Sequence, residues 1–110
     1  MIDHPNYMPQ VLQVIAAPGD GYLILLYFDD GSIHQYDVEP LLDQPVFRPL
    51  RDRAVFRQAL TVLNGTAAWD LAGTRDETRC IDLDPLVLYR TTPEIEEPAW
   101  VTLASRSTDE

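Results

Sequence analysis

Tyr22-Leu23-Ile24-Leu25-Leu26-Tyr27-Phe28-Asp29-Asp30-Gly31-Ser32-Ile33-His34-Gln35-Tyr36-Asp37-Val38 holds two apolar, aromatic-rich runs broken by a dense turn signal. Branched and aromatic side chains suit a pleated strand, and an Asp-Gly pair tolerates the positive φ that a tight hairpin requires. The stretch predicts an antiparallel hairpin with Asp30 and Gly31 as its two turn residues. On that register Phe28 faces Ile33, Tyr27 faces His34, Leu26 faces Gln35 and Leu25 faces Tyr36. Alternation then places Ile24, Leu26, Phe28 and Ile33 on one face, and Leu23, Leu25, Tyr27, His34 and Tyr36 on the other. Both faces are largely apolar, although a half-solvated hairpin is polar on one side. Each side therefore needs cover, from downstream strands and the tail around Trp100, or from another chain. In the second case Tyr27, His34 and Tyr36 centre a dimer or partner surface.

Upstream, Gln10 to Ala17 is rich in branched aliphatics and reads as a strand, and Pro18-Gly19-Asp20-Gly21 as a turn. The three strands make a meander. Downstream, Pro40-Leu41-Leu42-Asp43 suggests a single helical turn, and Pro45 to Leu50 an extended connection stiffened by proline. Asp52 is placed to cap a helix over Arg53 to Ala59, with Val55, Phe56, Ala59, Leu60 and Leu63 on one face. The helix end is ambiguous, because Thr61-Val62 favours a strand. Asn64-Gly65-Thr66 is a turn leading into a short strand to Trp69, and Arg79 to Leu83 is a last core strand. Asp84 caps a short helix through Tyr89, with Pro85 in the first helical position. Thr91 to Pro98 reads as a polar linker and Trp100 to Leu103 as an appended strand. The expectation is one α+β domain over residues 1–90: a small antiparallel sheet that starts with a three-stranded meander and is packed by one or two short helices. A polar, partly disordered C-terminal extension would occupy residues 91–110.

The 110 residues amount to one domain, and the formal charge is 8 − 18 = −10, with every basic residue an arginine. Such a surface repels phosphates, which argues against direct nucleic-acid binding and against anionic membranes. The longest apolar run, Tyr22 to Phe28, is far shorter than the ~20 residues a spanning helix needs. Met1 to Pro5 lacks the features of a secretory signal, and the single Cys80 cannot form an internal disulfide, so a cytoplasmic protein is expected.

No motif announces catalysis. His4, His34 and Cys80 do not supply the paired ligands of a zinc site, and no glycine-rich phosphate loop opens a helix; neither a metal nor a cofactor is expected. Ser32 and His34 share a strand face while Asp37 points away, so they make no triad. Asp37 and Asp82 are the carboxylates that turn and cap chemistry leave unexplained. Together with His34 they support the alternative of a small-molecule binder or minor enzyme. Arg48, Arg51, Arg53 and Arg57 fall within ten positions, with Arg53 and Arg57 one helical turn apart; they suggest surface ion pairs or a contact patch for an acidic segment.

Tyr22 to Gly31 followed by Tyr36-Asp37-Val38-Glu39-Pro40-Leu41-Leu42 resembles the opening of a bacterial family called domain of unknown function 2442. Val46 to Asp52 with Phe56, then Trp69-Asp70, then Ile81 to Pro85 with Leu88-Tyr89, resemble its later blocks, in order, over about residues 8–90. The chain departs from the family at Ser32, where a glutamate is usual, in a longer loop between Trp69 and Ile81, and in the tail from Thr91. The resemblance implies a small α+β domain without established catalytic residues. It also implies an antitoxin-like or accessory half of a two-gene module. The expected function is thus non-catalytic protein recognition, by a self-dimer or with a small basic protein, since complementary charge speeds and orients encounter. A regulatory subunit of a DNA-binding assembly is a further alternative.

Overall fold

The computed structural model describes residues 8–75 and 80–101; residues 1–7, 76–79 and 102–110, the last part of the extension expected to be partly disordered, lie outside them. Strands β1 (Val11–Ala16), β2 (Leu23–Phe28) and β3 (Ile33–Asp37) form the expected antiparallel meander. Their register is one residue away from the expectation. Leu26 faces His34, Ile24 faces Tyr36 and Tyr27 faces Ile33. The loop has three residues, Asp29-Asp30-Gly31, closed by Phe28 N–H to the Ser32 carbonyl at 2.9 Å and Gly31 N–H to the Phe28 carbonyl at 3.0 Å. A two-residue hairpin loop needs positive φ at its first turn position, which would be Asp30, and in its commonest form at both; here only Gly31 adopts it, at +90°. Asp30 instead accepts from the Ser32 N–H at 2.8 Å, a local bond that holds the wider loop. A slip of one residue exchanges the faces of the whole partner strand. The inner face therefore carries Ile24, Leu26 and Phe28 with His34 and Tyr36. The outer face carries Leu23, Leu25 and Tyr27 with Ile33 and Gln35.

Two 3-10 helices follow, Glu39–Asp43 and Pro45–Arg51. The second replaces the expected extended connection. Side chains three apart eclipse in a 3-10 helix, so Phe47 and Leu50 turn together into the core while Pro45 occupies a first-turn position that needs no donor. Helix α1 (Arg53–Gln58) starts at Asp52, whose carboxylate accepts from the N–H groups of Ala54 and Val55. It yields at once to β4 (Leu60–Leu63), settling the ambiguity at Thr61-Val62 in favour of a strand. Asn64 and Gly65 both have positive φ, +57° and +71°, and close a two-residue hairpin into β5 (Thr66–Trp69). Strand β6 (Ile81–Asp82) completes a second antiparallel sheet in the order β4-β5-β6. Helix α2 (Pro85–Thr91) is capped by Asp84 as the sequence implies.

The core lies between the inner face of the first sheet and these elements. Ile24, Leu26, Val38, Leu50, Phe56, Ala67 and Trp69 are all sealed from solvent. Trp69 donates its indole N–H to the Phe56 carbonyl at 3.0 Å, and the Val11 N–H reaches the Gly65 carbonyl, joining the two sheets. The chain past residue 90 stays in the fold. Strand β7 (Glu94–Ile95) pairs with β3 at the sheet edge, and the Gln35 N–H donates to the Pro93 carbonyl. Residues 99–101 are helical where a strand was expected, with the Val101 N–H on the Pro98 carbonyl. Leu25, on the outer face, is only 1% exposed, and the Tyr27 hydroxyl donates to Glu97 at 2.9 Å, so the tail passes over this face.

Candidate functional site

Tyr27, His34 and Tyr36 do not make one surface. The register slip sends Tyr27 outward beneath the tail and His34 and Tyr36 inward. Burial, then the bond and charge of Glu97, push the Tyr27 hydroxyl up to about 12. Burial, with Asp37 nearby, raises that of Tyr36. His34 is 5% exposed and ties three segments together. Its Nδ1 lies 3.1 Å from the Thr92 carbonyl oxygen, which can only accept, so this nitrogen carries a proton. Nε2 lies 3.2 Å from the Ser32 hydroxyl, which donates to Asp30 at 2.6 Å. The Tyr89 hydroxyl donates to the other oxygen of Asp30, also at 2.6 Å. Rings of Phe28, His34 and Tyr89 pack edge-on or tilted within about 5 Å of one another. The bond to Asp30, then burial, push Tyr89 up to about 12. Burial works against the charge of Asp30, yet the bonds from Ser32 and Tyr89 outweigh it and hold the carboxyl below its ordinary range. This cluster fastens α2 and β7 to the hairpin. The Ser32 proton points to Asp30 and not to His34, so no nucleophile–base pair is set up.

Arg53 and Arg57 are turned onto the chain's own backbone. Arg53 donates to the carbonyls of Gly19 and Gly21, lies 3.6 Å from the Asp20 carboxylate and stacks 5.7 Å from the Tyr22 ring centre. Arg57 donates to the Ala17 carbonyl at 2.9 Å. Both brace the β1–β2 loop, a job for which long cationic side chains need no outside partner. Arg75 acts likewise, bonding the Thr61 hydroxyl and the Val62 carbonyl along β4.

The residues of the alternative enzyme reading lie apart. Asp82 sits on β6 and accepts from the Asn64 amide at 3.1 Å, in the second sheet. Asp37 ends β3 on the face opposite His34, and its Oδ1 accepts from the Glu39 N–H at 3.0 Å, the local backbone bond typical of a strand end. Among the described residues no group of three metal-ligating side chains converges. Asp37 does, however, border a cleft of about 630 Å³ lined by Tyr22, Asp37, Glu39, Leu42, Asp43 and Arg51. The first 3-10 helix folds the chain back here, so carboxylates at 37, 39 and 43 gather beside the apolar sides of Tyr22 and Leu42. Arg51 spans one wall, with Nε on the Leu42 carbonyl at 3.1 Å and a terminal nitrogen on Asp43 at 3.0 Å. The Tyr22 hydroxyl closes it by donating to the Arg51 carbonyl at 2.6 Å. Of this lining the sequence singles out Asp37, and Arg51 as one of four clustered arginines; the spacing of three acids around Pro40 is the signal for Glu39 and Asp43.

No family model, curated protein or solved structure matches the chain. No helix among the described residues is long and apolar enough to cross a membrane.

Proposed function

We propose that the protein is a non-catalytic recognition domain whose partner is a basic protein. The observation that carries this reading is where the cations go. Arg51, Arg53, Arg57 and Arg75 each direct guanidinium donors to carbonyls or side chains of their own chain. Asp29, Asp37, Glu39, Asp43, Asp82, Glu94 and Glu96 meanwhile stay exposed. The chain's formal charge of −10 is already net of its eight arginines, and these exposed carboxylates carry part of it. Such a surface accelerates encounter with a positive partner and penalises a negative one. The resemblance to the two-gene bacterial family supports the same reading, with this chain as the antitoxin-like or accessory member.

The test is co-expression with the product of the neighbouring gene, followed by size-exclusion chromatography and calorimetry. A one-to-one or higher complex is expected, with affinity falling as salt rises through the range where the screening length drops below about 10 Å. A neighbour that elutes separately, or a complex indifferent to salt, overturns the proposal.

A further inference from the structure

The proton count around His34 fixes more than its tautomer. Its Nδ1 faces two oxygens of Thr92, the carbonyl at 3.1 Å and the hydroxyl at 3.0 Å, and that hydroxyl already gives its proton to the Leu88 carbonyl at 2.6 Å. Its Nε2 faces the Ser32 hydroxyl at 3.2 Å, whose proton goes to Asp30 at 2.6 Å. Every oxygen around the ring therefore accepts, whereas a neutral imidazole has one proton for two such positions. We infer that His34 is held as an imidazolium, and that its second proton is a pH-sensitive latch fastening α2 and β7 to the hairpin. The latch does not depend on which partner the protein binds.

The surroundings supply what a buried cation needs. With His34 only 5% exposed, the protein and not water must meet its charge. Asp30 faces it through Ser32, with Asp29 in the same loop, and Asp30 also accepts from the Ser32 N–H and the Tyr89 hydroxyl. Glu94 on β7 stands opposite His34 in the strand register. The rings of Phe28 and Tyr89 lie 4.8 and 5.2 Å from the imidazole centre, within range of cation–π attraction. On β2 the residue opposite is the apolar Leu26, and Tyr36, two residues along the inner face, is a neutral phenol. Arg90, the one cation on α2, is exposed.

The ring sits where the chain leaves α2. Thr92 ends the helix, at a terminus whose unpaired carbonyls favour a cation, and the Pro93 carbonyl then takes the Gln35 N–H at 3.0 Å on the way to β7. When the ring gives up its Nε2 proton, that nitrogen becomes an acceptor facing an acceptor. Ser32 must then leave Asp30, or Nε2 stays buried and unpaired; either loosens the junction. The sign follows: the latch holds on the acid side, while the ring keeps both protons and Asp30 is still ionised, and it weakens as pH rises.

Nitrogen-15 NMR of the full chain reads the ring directly, with His34→Gln separating its signals from those of His4. At about pH 5.5, a unit below the ordinary histidine value, both ring nitrogens of His34 should carry protons. On raising the pH, Nε2 should lose its proton and Nδ1 keep its own. Over the same range the amide-exchange protection of Thr92 and Gln35, corrected for intrinsic rates, should fall roughly tenfold, the size expected when one buried acceptor is left unmatched. Protection of the Asp70 N–H, which bonds the Ala59 carbonyl beyond β5, should hold. Asp30→Asn keeps an oxygen for Ser32 and removes only the charge, so it should bring the Nε2 titration down by about half a pH unit or more. His34→Gln should make the protection of Thr92 and Gln35 independent of pH across that range. A bare Nε2 at about pH 5.5, protection that does not follow the Nε2 titration, or a pH dependence that survives in His34→Gln would each overturn the latch. Should His34→Gln not fold, Asp30→Asn decides alone, and an unmoved Nε2 titration overturns it.

Discussion

Replacing Tyr89 by phenylalanine removes one hydroxyl and nothing else from the cluster that fastens α2 to the hairpin. That hydroxyl donates to Asp30 at 2.6 Å, and Asp30 in turn holds Ser32 through both its N–H and its hydroxyl. A hydrogen bond to a charged group contributes about 1.5–3 kcal/mol when sheltered. Asp30 is exposed, so solvent competes for it and the lower range of about 1 kcal/mol applies. The pH dependence has a definite sign. The Asp30 carboxyl titrates below its ordinary value of 3.8 in the folded protein, so its contribution is complete above that value and fades as pH falls through the folded one. Tyr89 titrates near 12 rather than 10, so its contribution holds below 10 and is lost as pH rises through about 12. Urea unfolding of wild type, Tyr89→Phe, Asp30→Ala and the double variant, followed by tryptophan fluorescence, gives the coupling directly. It should be about 1 kcal/mol at neutral pH and fall by about half once acid has neutralised the Asp30 carboxyl, which takes a pH below its ordinary 3.8. A coupling under about 0.3 kcal/mol at neutral pH, or one that does not change on acidification, refutes the assignment of Asp30 as the charged acceptor.

Leu26 is fully buried, so Leu26→Ala should cost about 2–5 kcal/mol in urea, whereas Leu12→Ala, at a site 64% exposed, should stay within about 0.5 kcal/mol. Asp84→Ala strips two N–H bonds from the start of α2 and should lower stability by about 1 kcal/mol on the same measurement. In an alkaline ultraviolet titration, Tyr27 and Tyr89 should ionise last, near 12. Glu97→Gln should bring Tyr27 down and leave Tyr89 in place; if both move together, the Tyr27–Glu97 bond is not the cause. Gly31→Ala meets no atom within 4 Å but must hold a φ of +90°, so a cost of about 1 kcal/mol in thermal unfolding should come from backbone strain alone.

The candidate site was legible only in fragments. Asp37 stood out because neither turn nor cap chemistry explained it. Glu39 and Asp43 gained meaning once the 3-10 helix brought them round to the same side. Arg53 and Arg57 looked like a contact patch because one helical turn separates them. Their targets, the carbonyls of Ala17, Gly19 and Gly21, lie more than thirty residues earlier in the chain. A helical spacing shows which side chains are neighbours, not what the helix is packed against.

Local chemistry was enough to write the element types into the chain: the meander, the Asn64-Gly65 hairpin, and the helices begun by Asp52 and Asp84 each depend on bonds between residues a few positions apart. Only the tertiary structure selected the hairpin register, the division into two sheets and the return of the tail to the edge of β3. Those depend on which faces must be buried together. Asp-Asp-Gly fits a loop of two residues or of three; the Asp30–Ser32 bond holds the wider one, and the register is locked by the packing of Phe28, His34 and Tyr89, whose contact across 61 residues no local rule contains.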